Sequence, residues 1–245
     1  MTIVINDDIS AYWLKEKTAG ECCLDQSDLA VYINPHIDEN YLAVAIQDQN
    51  KYWLSLHPQL CVKLSVTAEL TRKAAESLRS DLADQWHGAN QFFYFSQAAL
   101  SKLQQQKIPS DIRALTSADA AAFQAFCEAS SEDDLDGASV ELDHWLVYGL
   151  FFDEKLVAAA SMYPWDDKNL AIADLGVLTL SEHRGKGYAR KLVSAICQIA
   201  LDKGYQPQYR CQLDNQASLA LANSLNLIPY IKWDVIVQPN AVIET

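Results

Sequence analysis

One segment constrains the fold of this 245-residue chain more than any other: an apolar strand that runs through a glycine-bearing turn into an amphipathic helix. The run from Leu170 to Thr179 favours a strand, and apolar residues recur at helical spacing from Gly187 to Lys203. A strand that turns directly into a helix leaves backbone N–H groups without partners at the positive end of the helix dipole. The turn is therefore predicted to bind an anion.

Residues of the turn indicate that this anion is a pyrophosphate. Gly185 and Gly187 let the backbone approach a ligand closely, and Arg184 and Lys186 add positive charge. Two common nucleotide-binding patterns do not fit. The pattern G-x-x-x-x-G-K-S/T has no match in the turn, and Arg190 stands where G-x-G-x-x-G needs its third small residue. The turn thus predicts a phosphate-bearing ligand outside those two nucleotide-binding folds.

The motif Arg184-x-x-Gly187-x-Ala189 resembles the coenzyme A signature Q/R-x-x-G-x-G/A of the GNAT superfamily of N-acetyltransferases. Residues 173–179 look like the central strand of that family, which splays from its neighbour and offers backbone groups to the pantetheine arm. Residues 209–218 resemble the next strand and the start of the helix that follows it. The resemblance covers about residues 112 to 237.

The resemblance implies a fold, a co-substrate and a set of binding residues. The fold class is α/β (α+β), with a mixed, mostly antiparallel sheet flanked by helices, and the co-substrate is acetyl-CoA or coenzyme A. The implied contacts come from the central strand, the turn and the later helix start: Val177, Leu178, Thr179, Arg184, Gly185, Lys186, Gly187, Tyr188, Ala189, Asn215 and Ser218. No metal is expected, because no C-x-x-C pair and no histidine at ligand spacing occurs among the six cysteines.

Length and a polar run predict two domains. A chain of 245 residues is long enough for one large domain or two small ones. The polar segment 104–107, followed by Pro109 and Ser110, is the best linker candidate, so we expect a smaller α+β domain over 1–110 and a GNAT-like domain over 111–245. The first domain has no predicted role and is alternatively a degenerate second GNAT-like unit.

The patterns also predict individual elements. In the first domain, strands are expected near 30–33, 42–46, 53–56 and 62–66, and a helix over about 68–86. In the second, Thr116 begins a capping signature for a helix that ends near 129, and an acidic loop is expected over 132–137. Strands at 140–152 and 156–163 form a hairpin. Residues 209–213 and 230–237 are strands on either side of a short helix over 215–225.

Two departures from the family pattern bear on catalysis. Ala222 stands where the family commonly has the tyrosine credited with protonating the leaving thiolate. The position of the family's acidic base falls on Ala173, with Asp174 next to it. An unpaired carboxylate in an apolar strand is costly, so Asp174 is either hydrogen-bonded or placed in a cleft with a raised pKa. Asp174 is the candidate base, and Glu141, near Asp143 and His144 at the start of a strand, is the alternative.

The charge balance bears on partners and location. Against 32 acidic residues stand 19 Lys and Arg, a net charge of -13 that disfavours nucleic acid and anionic membranes as partners. The longest apolar run has eight residues, where a membrane helix needs about 20, and no signal peptide is recognisable, so we expect a cytoplasmic protein. Acidic residues also predominate in the half that carries the motif, which favours a cationic small-molecule or peptide amine as acceptor.

Two functions follow from this reading. The first is an N-acetyltransferase that passes an acetyl group from acetyl-CoA directly to a primary amine, because no cysteine has a histidine placed to form a covalent intermediate. The alternative is a catalytically inactive coenzyme A-binding sensor or scaffold module, which the missing tyrosine at Ala222 suggests. Turnover with an amine distinguishes the two.

Overall fold

The computed structural model describes residues 5–165 and 171–239 of the chain. Its strands, in chain order, are β1 (Glu21–Asp25), β2 (Leu29–Ile33), β3 (Tyr41–Gln47), β4 (Tyr52–Leu56), β5 (Asn90–Tyr94), β6 (Ile112–Ala114), β7 (Leu146–Phe152), β8 (Lys155–Pro164), β9 (Ile172–Thr179), β10 (Gln206–Gln212) and β11 (Ile228–Val237). Its α-helices are α1 (Asp7–Lys17), α2 (Pro58–Leu64), α3 (Arg72–Asp81), α4 (Gln97–Leu103), α5 (Ala120–Glu128), α6 (Glu132–Ala138), α7 (Tyr188–Asp202) and α8 (Gln216–Ser224).

All eleven of these strands form one sheet in the order β1-β2-β4-β3-β11-β5-β10-β9-β8-β7-β6. The pairs β2–β4 and β9–β10 are parallel, and the other neighbours in that order are antiparallel. Helices lie against the sheet: α7 contacts β7 to β10, while α5 and α6 contact β8 and β9. The predicted fold class, a mixed and mostly antiparallel sheet flanked by helices, is confirmed.

The predicted linker does not coincide with an edge of the sheet. Strand β5 comes before residue 110, yet it pairs with β10 on one side and β11 on the other, both of which come after it. Strand β11 also pairs with β3. The division into domains 1–110 and 111–245 stays a prediction, and three strand pairings cross it.

Helix α7 follows the predicted pattern closely. It begins after Gly187 and buries Leu192, Val193, Ile196 and Ala200 against the sheet. The capping signature at Thr116 is also confirmed, because its side chain and that of Asp119 cap the turn that leads into α5. Strong local signals therefore placed both helices.

Several predicted elements were wrong. Residues 62–66, expected as a strand, belong mostly to α2, which has Pro58 in its first turn and His57 as its N-cap. The expected acidic loop is α6, where Ser131 caps the helix and three acidic residues in the first turn favour its dipole. The strand expected from residue 140 begins only at Leu146. Leu170, the expected start of the central strand, lies outside the described residues.

Helices in the described part of the chain are too short or too polar to span a membrane.

Candidate active site

Strands β9 and β10 diverge at a defined point in the sheet. Their parallel pairing covers three residue pairs and ends with Gln208 opposite Asp174. Beyond that pair, β10 hydrogen-bonds to β5 instead, whereas residues 175–179 of β9 continue to pair with β8. The edge of β9 that faces β10 therefore offers backbone groups to a ligand between the two strands.

At the far end of β9, the turn into α7 has the shape predicted for an anion-binding loop. Gly185 and Gly187 have positive φ angles of 74° and 80°, which explains the choice of glycine at both positions. Gly187 is the N-cap of α7, and no side chain of the described residues caps the helix there. The first turn of α7 has no acidic residue. Exposed N–H groups at the positive end of a 15-residue helix thus face solvent, ready for an anion.

Arg184 bridges this turn to α6. Its Nε donates to the carbonyl oxygen of Thr179 at 3.0 Å, and its Nη2 forms an ion pair with Oδ1 of Asp134 at 2.7 Å. The hydroxyl oxygen of Thr179 is buried and has no hydrogen-bond partner among the described residues. An orphaned polar atom at the end of β9 fits a ligand that supplies the missing partner.

The other predicted cofactor residues lie in the cleft, at the start of α7 or in the core. Val177, Asn215 and Ser218 line the cleft where β9 and β10 diverge, and the Asn215 side chain caps α8 by accepting from the backbone N–H of Ser218 at 3.0 Å. Lys186 is exposed, and Tyr188 and Ala189 are half-buried at the start of α7. The side chain of Leu178 packs in the core beside α5 and α6, so only its backbone is available to a ligand.

A cleft of about 1020 Å³ opens on the side of the sheet that carries α6. One wall comes from the C-terminal half, with Ser139, Glu141 and His144 between α6 and β7. The opposite wall comes from the N-terminal half, with Tyr12 from α1 and Tyr41 from β3. Asp174 lies in the floor, so the cleft begins where β9 and β10 separate. Both halves of the chain therefore shape this candidate site.

Asp174 is buried in a hydrogen-bonded cluster and is only 1% exposed. Its Oδ2 accepts from Arg210 Nε at 2.7 Å and from the Tyr163 hydroxyl at 3.2 Å, and its Oδ1 accepts from Gln208 Nε2 at 3.0 Å. Burial alone would lower the pKa of Arg210, but the Asp174 carboxylate raises it above its usual range. The carboxylate and the guanidinium therefore form a charged pair in the floor of the cleft.

The cluster extends to the N-terminal helix. Gln208 accepts a hydrogen bond from the hydroxyl of Tyr94, which in turn accepts from Trp13 Nε1 at 2.6 Å. Trp13, Tyr94 and Gln208 are all fully buried. A continuous line of polar contacts thus connects α1 to the point where β9 and β10 diverge.

His144 is a half-buried residue on the C-terminal wall. Its Nδ1 lies 2.8 Å from Ser161 Oγ, and that hydroxyl donates to the carbonyl oxygen of Ser139 at 3.4 Å. Because a hydroxyl has one proton to donate, we assign the imidazole proton to Nδ1, which leaves a lone pair on Nε2. Burial lowers the pKa of His144, against the opposing influence of Glu141 and Asp143. A neutral imidazole follows at neutral pH.

Glu141 is exposed and approaches His144, with its Oε2 at 3.9 Å from Nε2. The ligand-type atoms of Glu141, Asp143 and His144 lie within 4.8 Å of one another. The two candidate bases named from sequence, Asp174 and Glu141, thus line one cleft but have different surroundings. Asp174 is enclosed and paired, whereas Glu141 is open to solvent.

The position of the absent family tyrosine is closed. Ala222 lies on α8 and is fully buried in the core. Two other tyrosines, Tyr163 and Tyr209, line the cleft. Burial, followed by the nearby Asp174 carboxylate, raises the pKa of Tyr163 to about 12, against the influence of Arg210. Burial also raises the pKa of Tyr209 to about 12. Both phenols stay protonated over the usual working range.

Sequence reasoning missed the partners of Asp174. Neither Arg210 nor Tyr163 is among the residues that the sequence assigns to the site. A signal existed in β10, where Gln208 and Arg210 alternate with buried residues and so share the face of Asp174. No such signal placed Tyr12 and Tyr41 in the wall of the cleft, because their position there depends on elements distant in sequence.

Comparison with known proteins gives the family. Residues 112–226 match the model of the "Acetyltransferase (GNAT) family". No curated protein matches the sequence. Among solved structures, the chain is similar to a GNAT-family acetyltransferase from Colwellia psychrerythraea, with 16% identity, a TM-score of 0.49, and coverage of 83% of this chain and 84% of that one.

Two further structures are similar. A GCN5-related N-acetyltransferase-like protein from Streptococcus suis has 15% identity and a TM-score of 0.46, over 83% of this chain and 87% of that one. The yncA protein of Salmonella typhimurium, solved with its cofactor acetyl-CoA, has 20% identity and a TM-score of 0.40, over 55% of this chain and 98% of that one. The family match covers the diverging strands, the glycine turn and α8, and the part of this chain from residue 112 to 226 is a GNAT acetyltransferase domain.

Proposed function

We propose that the protein is an N-acetyltransferase that transfers an acetyl group from acetyl-CoA directly to a primary amine. The observation that carries this proposal is the divergence of β9 and β10 after Asp174 and Gln208, with a glycine turn at one end of the gap and a cleft at the other. A ligand in the gap has its anionic part at the helix terminus and its reactive part at the cleft.

The residues present fit coenzyme A. The uncapped start of α7 and the positive φ angles of Gly185 and Gly187 suit a pyrophosphate, and Arg184 and Lys186 add cations. The unpaired edge of β9 suits an amide-containing arm, which would pair with the strand as another strand does. Bound there, acetyl-CoA supplies the activated acetyl group. Together these contacts support residues 177–179, 184–189, 215 and 218 as the cofactor site.

The reaction needs an unprotonated amine. Its nitrogen attacks the thioester carbonyl carbon, the carbon–sulfur bond breaks, and coenzyme A leaves as a thiolate that takes up a proton. Holding both reactants in one cleft makes the attack a local step, which is a large part of the rate gain. The backbone N–H groups on the open edge of β9 are suited to polarise the thioester carbonyl.

His144 is the better placed base in this proposal. Asp174, the base expected from sequence, already accepts three hydrogen bonds and is 1% exposed, so a substrate ammonium has no direct access to it. His144 is half-buried on the cleft wall, neutral, and has Nε2 free of its Ser161 contact. Glu141 beside it stabilises the imidazolium that forms. Asp174 then acts by holding Arg210 and Tyr163 in place.

The test is thiol release from acetyl-CoA on addition of a panel of primary amines. We expect turnover with cationic amines, and a fall of about 100-fold or more in kcat for His144→Gln. The matched control is His57→Gln, because His57 caps α2 and does not line the cleft. Asp174→Asn is measured in parallel, with folding checked by coenzyme A binding.

Three outcomes separate the alternatives. Loss of activity in His144→Gln alone supports His144 as the base. Loss in Asp174→Asn with normal cofactor binding and an unaffected His144→Gln returns that role to Asp174. Tight coenzyme A binding with no turnover on any amine supports the inactive sensor or scaffold, which the buried Ala222 favours.

A further inference from the structure

The cleft is strongly acidic for its size. Its described lining contains five carboxylates, namely those of Glu16, Asp38, Asp136, Glu141 and Asp174, and a single guanidinium, that of Arg210. The charges of Asp174 and Arg210 offset each other in their ion pair. The carboxylates of Asp38 on one wall and of Asp136 and Glu141 on the other add negative charge, and a low-dielectric cleft focuses such a field on a cation.

Aromatic side chains from both halves of the chain line the part of the cleft that includes Tyr12 and Tyr41. We call Tyr12, Tyr41, Trp165 and Trp233 the aromatic shelf. Their rings lie close together, with 5.7 Å between the centroids of Tyr41 and Trp233 and 5.8 Å between those of Trp233 and Trp165. Trp165 Nε1 donates to the Tyr12 hydroxyl at 2.9 Å. All four residues are half-buried and line the cleft, so the shelf is a surface that a ligand can reach.

The shelf is continuous with the proposed site of acetyl transfer. The rings of His144 and Tyr163 are 4.6 Å apart, and Arg210 Nη2 lies 3.4 Å from the Tyr163 hydroxyl. The guanidinium carbon of Arg210 is 5.5 Å from the centre of the Trp165 ring. Contacts therefore cross the floor of the cleft from His144 to the shelf without a break.

Asp38 supplies a carboxylate at the shelf end. Burial raises the pKa of Tyr41, with a further contribution from the Asp38 carboxylate that Arg210 opposes. Asp38 and Tyr41 both line the cleft, and the Tyr41 backbone N–H donates to the Asp38 carbonyl oxygen at 2.9 Å. Aromatic faces together with a nearby carboxylate are a surface that binds organic cations, through cation–π attraction and charge.

We propose, on the basis of the proposed function, that the acceptor is an extended amine with two positive groups. One amine lies at His144 and receives the acetyl group, while a second cation some distance along the chain rests on the aromatic shelf near Asp38. The acceptor is accordingly of the diamine or polyamine class, or a peptide with a similarly spaced pair of cations. The aromatic shelf, to which both halves of the chain contribute, selects the acceptor, and the GNAT domain carries out the transfer.

The decisive measurement is binding, because it does not require turnover. Calorimetry with the coenzyme A-loaded protein compares α,ω-diaminoalkanes of increasing length with n-alkylamines of matched chain length. We expect the affinity for diamines to rise at one chain length and to exceed that of the matched monoamine by about 10-fold or more. Phenylethylamine, which has a ring and one charge, tests an aromatic acceptor in the same way.

Paired variants locate the second cation. Tyr41→Leu removes a ring of the shelf and should reduce the preference for diamines several-fold, whereas Tyr41→Phe keeps the ring and should retain it. Asp38→Asn removes a charge yet keeps the oxygen that accepts from the Asn40 backbone N–H, and it should also reduce the preference. Glu39→Gln is the matched control, since Glu39 is exposed next to Asp38 and does not line the cleft.

The outcomes distinguish the subsite from the activity. Diamine preference that depends on Tyr41 and Asp38, in a protein without turnover, supports the subsite and overturns the proposed function. Turnover on monoamines and diamines with equal kcat/KM and equal affinity overturns the subsite and leaves the function standing. Tighter binding of phenylethylamine than of every diamine, or an equal loss in Glu39→Gln, also overturns the second cation site. Unchanged coenzyme A affinity shows that each variant is folded.

Discussion

The two ends of β9 are built in opposite ways. At one end, Asp174 has its oxygens fully engaged by Arg210, Gln208 and Tyr163 and is closed to solvent. At the other end, the turn around Gly187 is exposed, and no side chain caps the helix that starts there. The closed end keeps its geometry without a ligand, whereas the open end leaves donors for one. A site that binds a cofactor and carries out a reaction needs both a fixed reacting centre and a loop with free hydrogen-bond donors for the ligand.

The largest expected effect concerns the closed end. Asp174→Asn preserves shape but leaves the Arg210 guanidinium without its counter-charge, and breaking a buried pair from one side typically costs about 3 kcal/mol or more of unfolding free energy. Urea unfolding of the variant and the parent protein measures this loss of unfolding free energy. Asp111→Asn, which breaks a more exposed pair with Lys191, should change stability far less. Equal losses of unfolding free energy in the two variants would mean that the buried cluster stabilises the fold no more than the exposed pair does.

The open end is tested by Gly187→Glu. The new side chain must adopt a positive φ and places a negative charge at the N-terminus of α7, so coenzyme A affinity should fall by about 100-fold. Calorimetry gives the affinity. Gly204→Glu is the control, because Gly204 also has a positive φ, of 87°, but lies beyond the other end of α7. If both variants bound coenzyme A alike, the turn would not be the pyrophosphate site.

The pH profile of kcat tests the role of His144 on the wall of the cleft. Burial lowers the pKa of His144 below 6.5, so the base form persists to lower pH and kcat should rise to a plateau with a midpoint below 6.5. Glu141→Gln removes a charge that raises this pKa, and the midpoint should move lower still. Since the pKa of Tyr163 is about 12, no falling limb should follow in the usual range. A bell-shaped profile would indicate an acid that the cleft does not display.

The smallest expected effect concerns Arg184. Its exposed ion pair with Asp134 occupies the guanidinium that the cofactor would use. Asp134→Asn weakens that pair, and coenzyme A should bind up to about 5-fold more tightly, in line with the modest worth of exposed pairs. Asp133→Asn, on the same acidic turn but without an ion pair to any described residue, serves as the control. A weaker affinity in Asp134→Asn would show that Asp134 orients Arg184 for the cofactor instead of withholding it.

The open end was predictable from sequence and the closed end was not. The turn consists of neighbouring residues, and glycines, cations and a helix start are local signals. The cluster at Asp174 brings together β8, β9 and β10, and its Arg210 contact spans 36 positions in the sequence. Pattern reasoning left Asp174 either hydrogen-bonded or in a cleft with a raised pKa, and it could not name the partners because they depend on strand register.

The errors in secondary structure have a local cause. At Glu132 the string of acidic residues suggested a solvated loop, although Ser131 before it is a good N-cap and acids favour the first turn of a helix. At Pro58 the proline fits the first turn of α2, while the β-branched residue Val62 suggested a strand. Capping chemistry determined the structure in both places, as it did at Thr116, where it was read correctly.

The position of β11 has a consequence for how the chain folds. This strand, the last in the described part of the chain, lies between β3 and β5, which are more than 120 positions earlier in sequence. The edges of β3 and β5 that pair with β11 therefore stay unpaired until residues 228–237 have left the ribosome. Sheet closure depends on contacts of very long sequence separation, which fold slowly and leave unpaired edges exposed meanwhile. Assembly of the acceptor wall, which includes Trp233 of β11, consequently follows the synthesis of residues 228–237.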